Sequence, residues 1–493
     1  MRKESYSPGY LEISLRQFGK NKLAVLGSII IMMLFAIAIY SPLIANNKPL
    51  VLYAPFTDKY EDTLYVAISN IENTLKSALS DDSKGYETNL TYTHRSLKTL
   101  RRFLPKRERK ELRNIQTDVI KTLAKKDSKR IAELTQILEK KFLELNIKYH
   151  LRFPAIKSLS PLYIFFMILY PLFIVLVVIK NVFRKRYVPL KVQGQLTAAT
   201  LISVIGAVIW WISVPAVFDP SDYKNFINEI PDNGFYLMPI VPYGENENII
   251  TEASQKPSWL MPVENRTENY HLLGTDTNGR DVLCRMVWGT RISMSIGFIA
   301  VGICLAIGIF FGSIAGYFRG WLDVSISRMI EVVICFPVFF LILTVLAFLR
   351  PSIINIMVVI GLTGWTGIAR LCRGEFLKLV KQDFVVAAHA LGASHNRIIF
   401  KHILQNGLGP VLVAASFGIA GAILTESALS FLGFGVPQPT ASWGDLLNNG
   451  RNDIQGTWWL TIFPGLAIFI AVTAFNLAGE GLRDALDPRL KHD

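Results

Sequence analysis

"VVAAHALGASHNRIIFKHIL", residues 385–404, is a basic, alanine-rich stretch between two long apolar runs. Asp383 stands just before it, where a carboxylate can accept from the free amides of a first helical turn, so a short helix is expected over 384–391. Gly392 is where that helix should stop, because the left-handed conformation that ends helices costs glycine little. Ser394 then predicts the cap of a second helix, running through Ile398, Ile399 and Phe400 into the next apolar run. The pattern is a two-turn helix, a sharp corner and a rigid connection onward. Ala387 and Ala388 give the short helix a face without bulk, which another protein surface can approach closely.

Moving outward, the 493 residues are 51% hydrophobic, too apolar for an ordinary soluble enzyme. The mean hydropathy is +0.34. A bilayer core takes about 20 apolar residues per helix. Such runs recur near 23–45, 158–179, 193–218, 292–318, 329–349, 351–369, 403–425 and 457–479, predicting eight spans. The first has no cleavage site behind it and reads as a retained span. Pro337 predicts a kink, and Pro351 after Arg350 a tight hairpin. Basic residues crowd the amino terminus (Arg2, Lys3, Arg16, Lys20, Lys22), the connector with Lys180, Arg184, Lys185, Arg186 and Lys191, the stretch 370–402, and the tail with Arg483, Arg489 and Lys491. With eight spans all four fall on one side, the cytoplasmic side by the bias of Lys and Arg in short loops. With seven, the 370–402 loop would face outward.

The polar stretch 50–157 has helical periodicity, with Ile131, Leu134, Leu138, Phe142 and Leu145 at three- and four-residue steps, and predicts a small helical bundle. Basic side chains outnumber acidic ones in it, most densely in "RRFLPKRERK" (101–110), although the span count puts it outside. Long loops largely escape the charge bias, and a solvated charged face is the plainer reading. The net charge of +14 therefore does not by itself argue for nucleic acid. Cys284, Cys304, Cys335 and Cys372 are scattered without disulfide or zinc spacing. His389, His395 and His402 are not at the spacing of a helical metal pair, so no metal site is expected and surface histidines are the reading. Ala388, Gly392 and Ile398 also stand at the spacing of a helix-turn-helix DNA reader, but spans on both sides leave little room for its three-helix core. Glu331, Glu426 and Glu480 lie near span ends, where headgroup solvation or pairing with Arg328 or Arg483 outweighs a proton-relay role. "GTDTNGRD" (274–281) reads as a turn with a helix cap from Asp281.

The 385–404 stretch resembles the cytoplasmic loop of ABC importer permeases that carries Glu-Ala-Ala, three residues, Gly and a distal Ile-Leu-Pro. Ala387, Ala388 and Gly392 match, while Val386 stands where Glu is frequent and Gln405 where Pro is frequent. Three further segments are similar to the dipeptide/oligopeptide branch: "HLLGTDTNGRDVLCRMVWGTRISMSIG" (271–297), "ESALSFLGFGVPQPTASWGDLL" (426–447) and "WWLTIFPGLAIFIAVTAFNLAGEGLRDALDPRL" (458–490). With "RQFGKNKLAVLG" (16–27), the likeness covers 10–46 and about 265–490; residues 50–260 have no counterpart in the usual six-span permease.

The resemblance implies an all-α polytopic membrane protein with the type I ABC importer permease fold: six core helices plus an inserted helical domain and two extra transmembrane helices. The expected divisions are 1–22 cytoplasmic, 23–45 first span, 46–157 external helical domain, 158–218 inserted span pair, 219–291 external loop, 292–485 core with coupling loop 370–402, and 486–493 cytoplasmic tail. It implies a bacterial inner-membrane subunit with both termini cytoplasmic, importing di- or oligopeptides. Expected partners are two cytoplasmic ABC ATPases, a second homologous permease, an external substrate-binding protein and membrane lipid, with no nucleic acid. No GxxxxGK[ST] loop is present, so no catalytic residue and no cofactor is expected on this chain, ATP and Mg sitting on the partners. Ala387, Ala388, Leu391, Gly392, Ala393 and Ser394 are the expected ATPase-coupling residues, and Asp276, Asn278, Gly279 and Arg280 the expected contacts to the binding protein. Rival readings are a permease for nickel or another small solute, an ion-coupled secondary transporter, for which repeat symmetry is missing, and a membrane-tethered nucleic-acid-binding or signalling protein.

Overall fold

Long apolar runs become long helices because, in lipid, every backbone polar group must be satisfied within the segment. The computed structural model describes residues 17–54, 58–80, 83–103, 109–143, 150–182, 192–214, 223–228, 234–262, 269–451 and 453–486. The described chain divides into two compact units, one of Met1–Lys48, Ala155–Pro220 and Met238–Asp493, the other of Pro49–Pro154 and Ser221–Leu237.

In chain order the elements are α1 (Lys22–Ile44), β1 (Val51–Ala54), α2 (Asp58–Leu79), α3 (Ser83–Phe103), α4 (Arg109–Ala124), α5 (Ser128–Leu143), β2 (His150–Arg152), α6 (Pro154–Lys157), α7 (Pro161–Val182), α8 (Val192–Ser213), α9 (Tyr223–Asn228) and β3 (Phe235–Leu237). There follow α10 (Val282–Phe318), α11 (Gly320–Ile334), α12 (Val338–Phe348), α13 (Ile353–Leu379), α14 (Asp383–Ala390), α15 (His395–Arg397), α16 (Leu404–Phe431), α17 (Trp443–Gly450) and α18 (Trp459–Leu486). Six helices among the described residues are long and apolar enough to cross a membrane. The α11–α12 pair makes a seventh if it is one span, and α7 supplies a shorter apolar segment. The break between α11 and α12 bends the chain by 78°, at the proline the sequence singles out: Pro337 cannot donate its backbone nitrogen, so the helix ends and restarts there.

One expected boundary moves. Helix α10 begins at Val282, ten residues before the apolar run at 292, so 282–291 is helix and not loop. The first three turns carry Arg285 and Arg291, which mask the span in a hydropathy reading but find partners in the fold. Arg285 donates to Asp445 at 2.7 Å, and Arg291 lies over the Tyr163 ring, 4.2 Å from its centroid, and bonds its hydroxyl. Asp281 caps this helix as expected, accepting from the Cys284 amide at 2.7 Å.

The centre of the first unit is the α10–α13 pair, and glycine makes its closeness possible. Gly308, Gly312 and Gly316 form a stripe at four-residue steps. A Cβ at Gly312 would stand 2.5 Å from the Ala369 carbonyl oxygen, and one at Gly316 2.5 Å from Phe376 Cβ. Nearer the start of α10, Met294, Ile296, Ile342, Ile356, Ile360, Ile419, Ile423 and Phe475 form the principal apolar core. The inserted α7 is tied to α1 by two reciprocal bonds, Tyr40 to the Met167 carbonyl at 2.9 Å and Tyr170 to the Met32 carbonyl at 2.5 Å. Outward side chains of α8, including Leu201, Ile205, Ile209 and Trp211, are exposed, which suits contact with lipid.

The second unit contains a helical bundle and a small sheet. Ala67, Ile71, Leu97, Val119, Leu123, Ile131 and Leu134 form its core, and Thr74 and Thr93 share a buried hydroxyl bond of 2.8 Å. Of the expected periodic set Ile131 and Leu134 are buried, whereas Leu145 and the side chains of Leu138 and Phe142 lie outside the described residues. The sheet has order β2-β1-β3, antiparallel throughout, with Leu52 opposite both Arg152 and Tyr236. This unit is therefore discontinuous: residues 221–237, expected in an external loop after the extra spans, supply its third strand and Tyr223, which packs on Leu52 and Ala54. Arg2, Lys3, Arg16, Arg184, Lys185, Arg186, Lys191, Arg489, Lys491 and residues 104–108 of the basic run lie outside the described residues.

Candidate coupling site

The short helix α14 is anchored on one side and bare on the other. Val385 and Ala388, three residues apart, are buried against Tyr317, Phe376, Ile398, Ile399 and Ile403. Phe384, Val386 and Ala387 remain exposed, as does Phe400 beyond the corner, and Leu391 at the tip is 87% exposed. The expectation of an outward face without bulk is thus corrected at Ala388. Its small side chain lets the helix sit close on the core, while Ala387 lies on the open side beside larger apolar groups.

The corner is built as the glycine predicts. Gly392 has φ +77°. The Ala393 amide bonds the Ala388 carbonyl at 3.1 Å and the Gly392 amide the His389 carbonyl at 3.0 Å, the paired bonds of a Schellman stop, and Ala393 packs on the same apolar cluster. Two expected caps are corrected. Asp383 is the first helical residue, with Gln382 in the capping place and no side-chain cap, and Ser394 stands before α15 without a side-chain cap bond. Burial of the apolar residues on either side holds both short helices instead. Between α15 and α16 the chain widens into a π-helix, Ile398–Ile403, which turns Ile398, Ile399 and Ile403 inward together.

Side chains distant in sequence meet at this end. The Tyr317 hydroxyl at the end of α10 lies 2.7 Å from His395 Nδ1 and 3.4 Å from His389 Nε2, so two expected surface histidines are brought together across the Gly392 corner. Asp323 of α11 takes a forked pair of bonds from Arg373 of α13, from Nη2 at 2.9 Å and from Nε. Sequence spacing alone signals neither contact. Glu331 pairs with Arg328 at 2.6 Å on the surface as expected, and Glu480 is exposed. The expectation for Glu426 is overturned: it is fully buried among serines, without an arginine.

At the opposite end, "GTDTNGRD" is folded inward. Asp276 Oδ1 accepts from the Asn278 and Arg280 amides at 2.9 and 3.0 Å, and Oδ2 from Arg280 Nε at 2.6 Å. Asp276, Gly279 and Arg280 are buried, leaving Asn278 exposed among the four expected contact residues. For Asp276 and Arg280 the expectation is corrected: their charges are spent on each other and on the neighbouring Arg285–Asp445 pair. Beside them His271 is clasped between Glu252 at 2.9 Å and Asp281 at 2.8 Å, under the Tyr243 ring at 4.5 Å. Burial opposes the imidazolium, but bonds and charge from Asp281 and Glu252 outweigh it and raise the His271 pKa.

Residues 308–492 match the family described as binding-protein-dependent transport system inner membrane component, and residues 9–64 the N-terminal TM domain of oligopeptide transport permease C. The chain is 42% identical over 221 residues to the dipeptide transport system permease protein DppC of Alkalihalophilus pseudofirmus, covering 45% of this chain and 73% of that one. It is 41% identical to the oligopeptide transport system permease protein OppC of Haemophilus influenzae (47% and 74% covered), and 37% identical to the di/tripeptide permease DppC of Pseudomonas aeruginosa (57% and 96% covered). A chain of the MetNI methionine ABC transporter aligns over 42% of this chain and 96% of its own, at 16% identity and a TM-score of 0.34. With its membrane-length helices and a relative matched over most of its length, the chain is a multi-pass permease and belongs to the binding-protein-dependent transport system inner membrane component family.

Proposed function

We propose that this chain is the membrane-spanning permease subunit of an ATP-driven importer of di- or oligopeptides, and that α14 takes the push of a cytoplasmic ATPase. The observation that carries the coupling role is the two-sidedness of α14. Val385 and Ala388 root it in the core, while Phe384, Val386 and Leu391 present an unpartnered apolar tip. An apolar tip on a rooted rod fits a groove, and the Gly392 corner and the π-helix pass its displacement to α16. Ala387, Leu391, Gly392, Ala393 and Ser394 form the contact and the bend, with Ala388 as the seat.

The energy comes from partners: two ABC ATPases holding ATP and Mg, beside a second permease and an external binding protein. This chain is the non-catalytic member. The peptide substrate class rests on the names of the relatives, which are dipeptide and oligopeptide permeases. The basic residues of the 370–402 loop favour a cytoplasmic position for it and, with eight spans, for both termini. Asn278 remains as a surface contact for the binding protein.

Leu391→Asp in the co-expressed transporter tests the coupling role. ATPase co-purification and ATP-driven peptide uptake should both be lost while the permease still accumulates in membranes. Retention of both would overturn the assignment. Cysteine labelling in intact cells should reach residues placed in 58–143 and not those placed in 383–394, and the reverse pattern would invert the topology.

A further inference from the structure

Glu426 lies little more than one turn from the end of α16 and has no exposed surface. Ser430 donates to its Oε1 at 2.8 Å, while Ser293 of α10 and Ser427 stand 3.4 and 3.5 Å from Oε2. Ser442 caps α17 at the Asp445 amide. Gly444 backs onto Ser427 and Ser430, closing the cage with backbone.

The charged groups of the elements packed on α16 are engaged elsewhere. Arg285 is held by Asp445 and Asp276, Arg291 by Tyr163, and Arg451 after α17 by the Phe431 carbonyl and ring. On α13 and α18 the charges Arg370, Arg373, Glu375, Lys378, Glu480, Arg483 and Asp484 all fall in the final turns, at the opposite end from Glu426. Among the described residues no basic side chain hydrogen-bonds or ion-pairs with Glu426. A bare carboxylate in such a place is too costly to persist, so one positive charge must accompany it.

Ser430 sits at the ordinary distance of a hydroxyl hydrogen bond, whereas Ser293 and Ser427 stand at its long limit and leave Oε2 weakly satisfied by protein donors. We infer that Glu426, with Ser293, Ser427 and Ser430, forms a binding site for a small monovalent cation, a sodium ion or a proton. Its occupancy joins α10 and α16, and so sets the stability of that end of the permease.

The test uses the assembled transporter purified in detergent, melted in sodium or N-methylglucamine at matched ionic strength, across a pH series, for the native chain and Glu426→Gln. For sodium, the native melting midpoint rises by at least about 3 °C between about 1 and 150 mM at alkaline pH, and the Gln variant does not respond. For a proton, sodium has no effect, and acidification stabilises the native chain beyond the Gln variant, a comparison that cancels other titrating groups such as His271. Equal sodium and pH responses in both proteins would overturn the site. Should the Gln variant not accumulate, Ser293→Ala keeps the carboxylate. Removing one oxygen should then shift the half-saturating sodium concentration or the pH midpoint by about threefold or more, and an unmoved midpoint overturns the site equally.

Discussion

Replacing Gly392 separates backbone geometry from bulk at the corner proposed to couple to the ATPase. A Cβ at this position meets nothing within 4 Å, so the substitution creates no clash inside the chain. The cost is conformational: φ is +77°, and a left-handed residue other than glycine costs about 1–2 kcal/mol. Against this stand the two bonds of the stop, Gly392 to His389 and Ala393 to Ala388, worth together about 1–3 kcal/mol. For alanine the two magnitudes are comparable, so the corner persists in part of the population. For valine, whose branched Cβ makes the left-handed region far worse, the bonds lose and the corner opens. Asparagine tolerates this conformation and should keep the corner despite its side chain. ATP-driven uptake by the assembled transporter in vesicles should therefore rank glycine, asparagine, alanine, valine, with alanine down by about threefold to tenfold and valine near background. If asparagine were as damaging as valine, bulk at the ATPase contact and not the bend would be responsible, and the lever argument would fail.

Gly312→Leu should block close packing of α10 on α13, because the obstacle is the Ala369 carbonyl and backbone cannot yield; thermal melting should fall by more than the about 1–3 kcal/mol of ordinary overpacking. Gly302→Ala on the same helix, with open space around its Cβ, should leave melting unchanged. Arg285→Met strands Asp445 in the interior and should cost about 3–5 kcal/mol, whereas Arg285→Met with Asp445→Leu should regain much of it, as read from melting and membrane accumulation. The raised pKa of His271 means that its clasp with Glu252 and Asp281 contributes fully below the unfolded value near 6.5 and is lost as pH rises through the folded one. Proteolysis of the 249–281 segment should accordingly increase with pH in the native chain and much less in His271→Asn; equal pH dependence in both would refute the assignment.

The periodicities and breakers of the chain determined a great deal by themselves. Runs of some 20 apolar residues can satisfy their backbone in lipid only as helices, so the membrane class and the approximate spans follow from hydropathy. Local conformational cost is likewise a property of short sequence, which is why Gly392, Pro337 and the Asp281 cap stand where the residue types place them. The tertiary structure decided everything that depends on which faces meet. Ala387 and Ala388 are the same residue type, yet one is open and one is buried against the apolar core. Arg285 and Arg291 look like loop residues until Asp445 and Tyr163, 160 and 128 positions away, neutralise or cover them and extend α10. The meeting of Tyr317 with His389 and His395, and the enclosure of Glu426 by serines from α10 and α16, have no signature in spacing. A side chain's burial is set by the helix that packs over it, and the energy of that packing is distributed over contacts far apart in the chain.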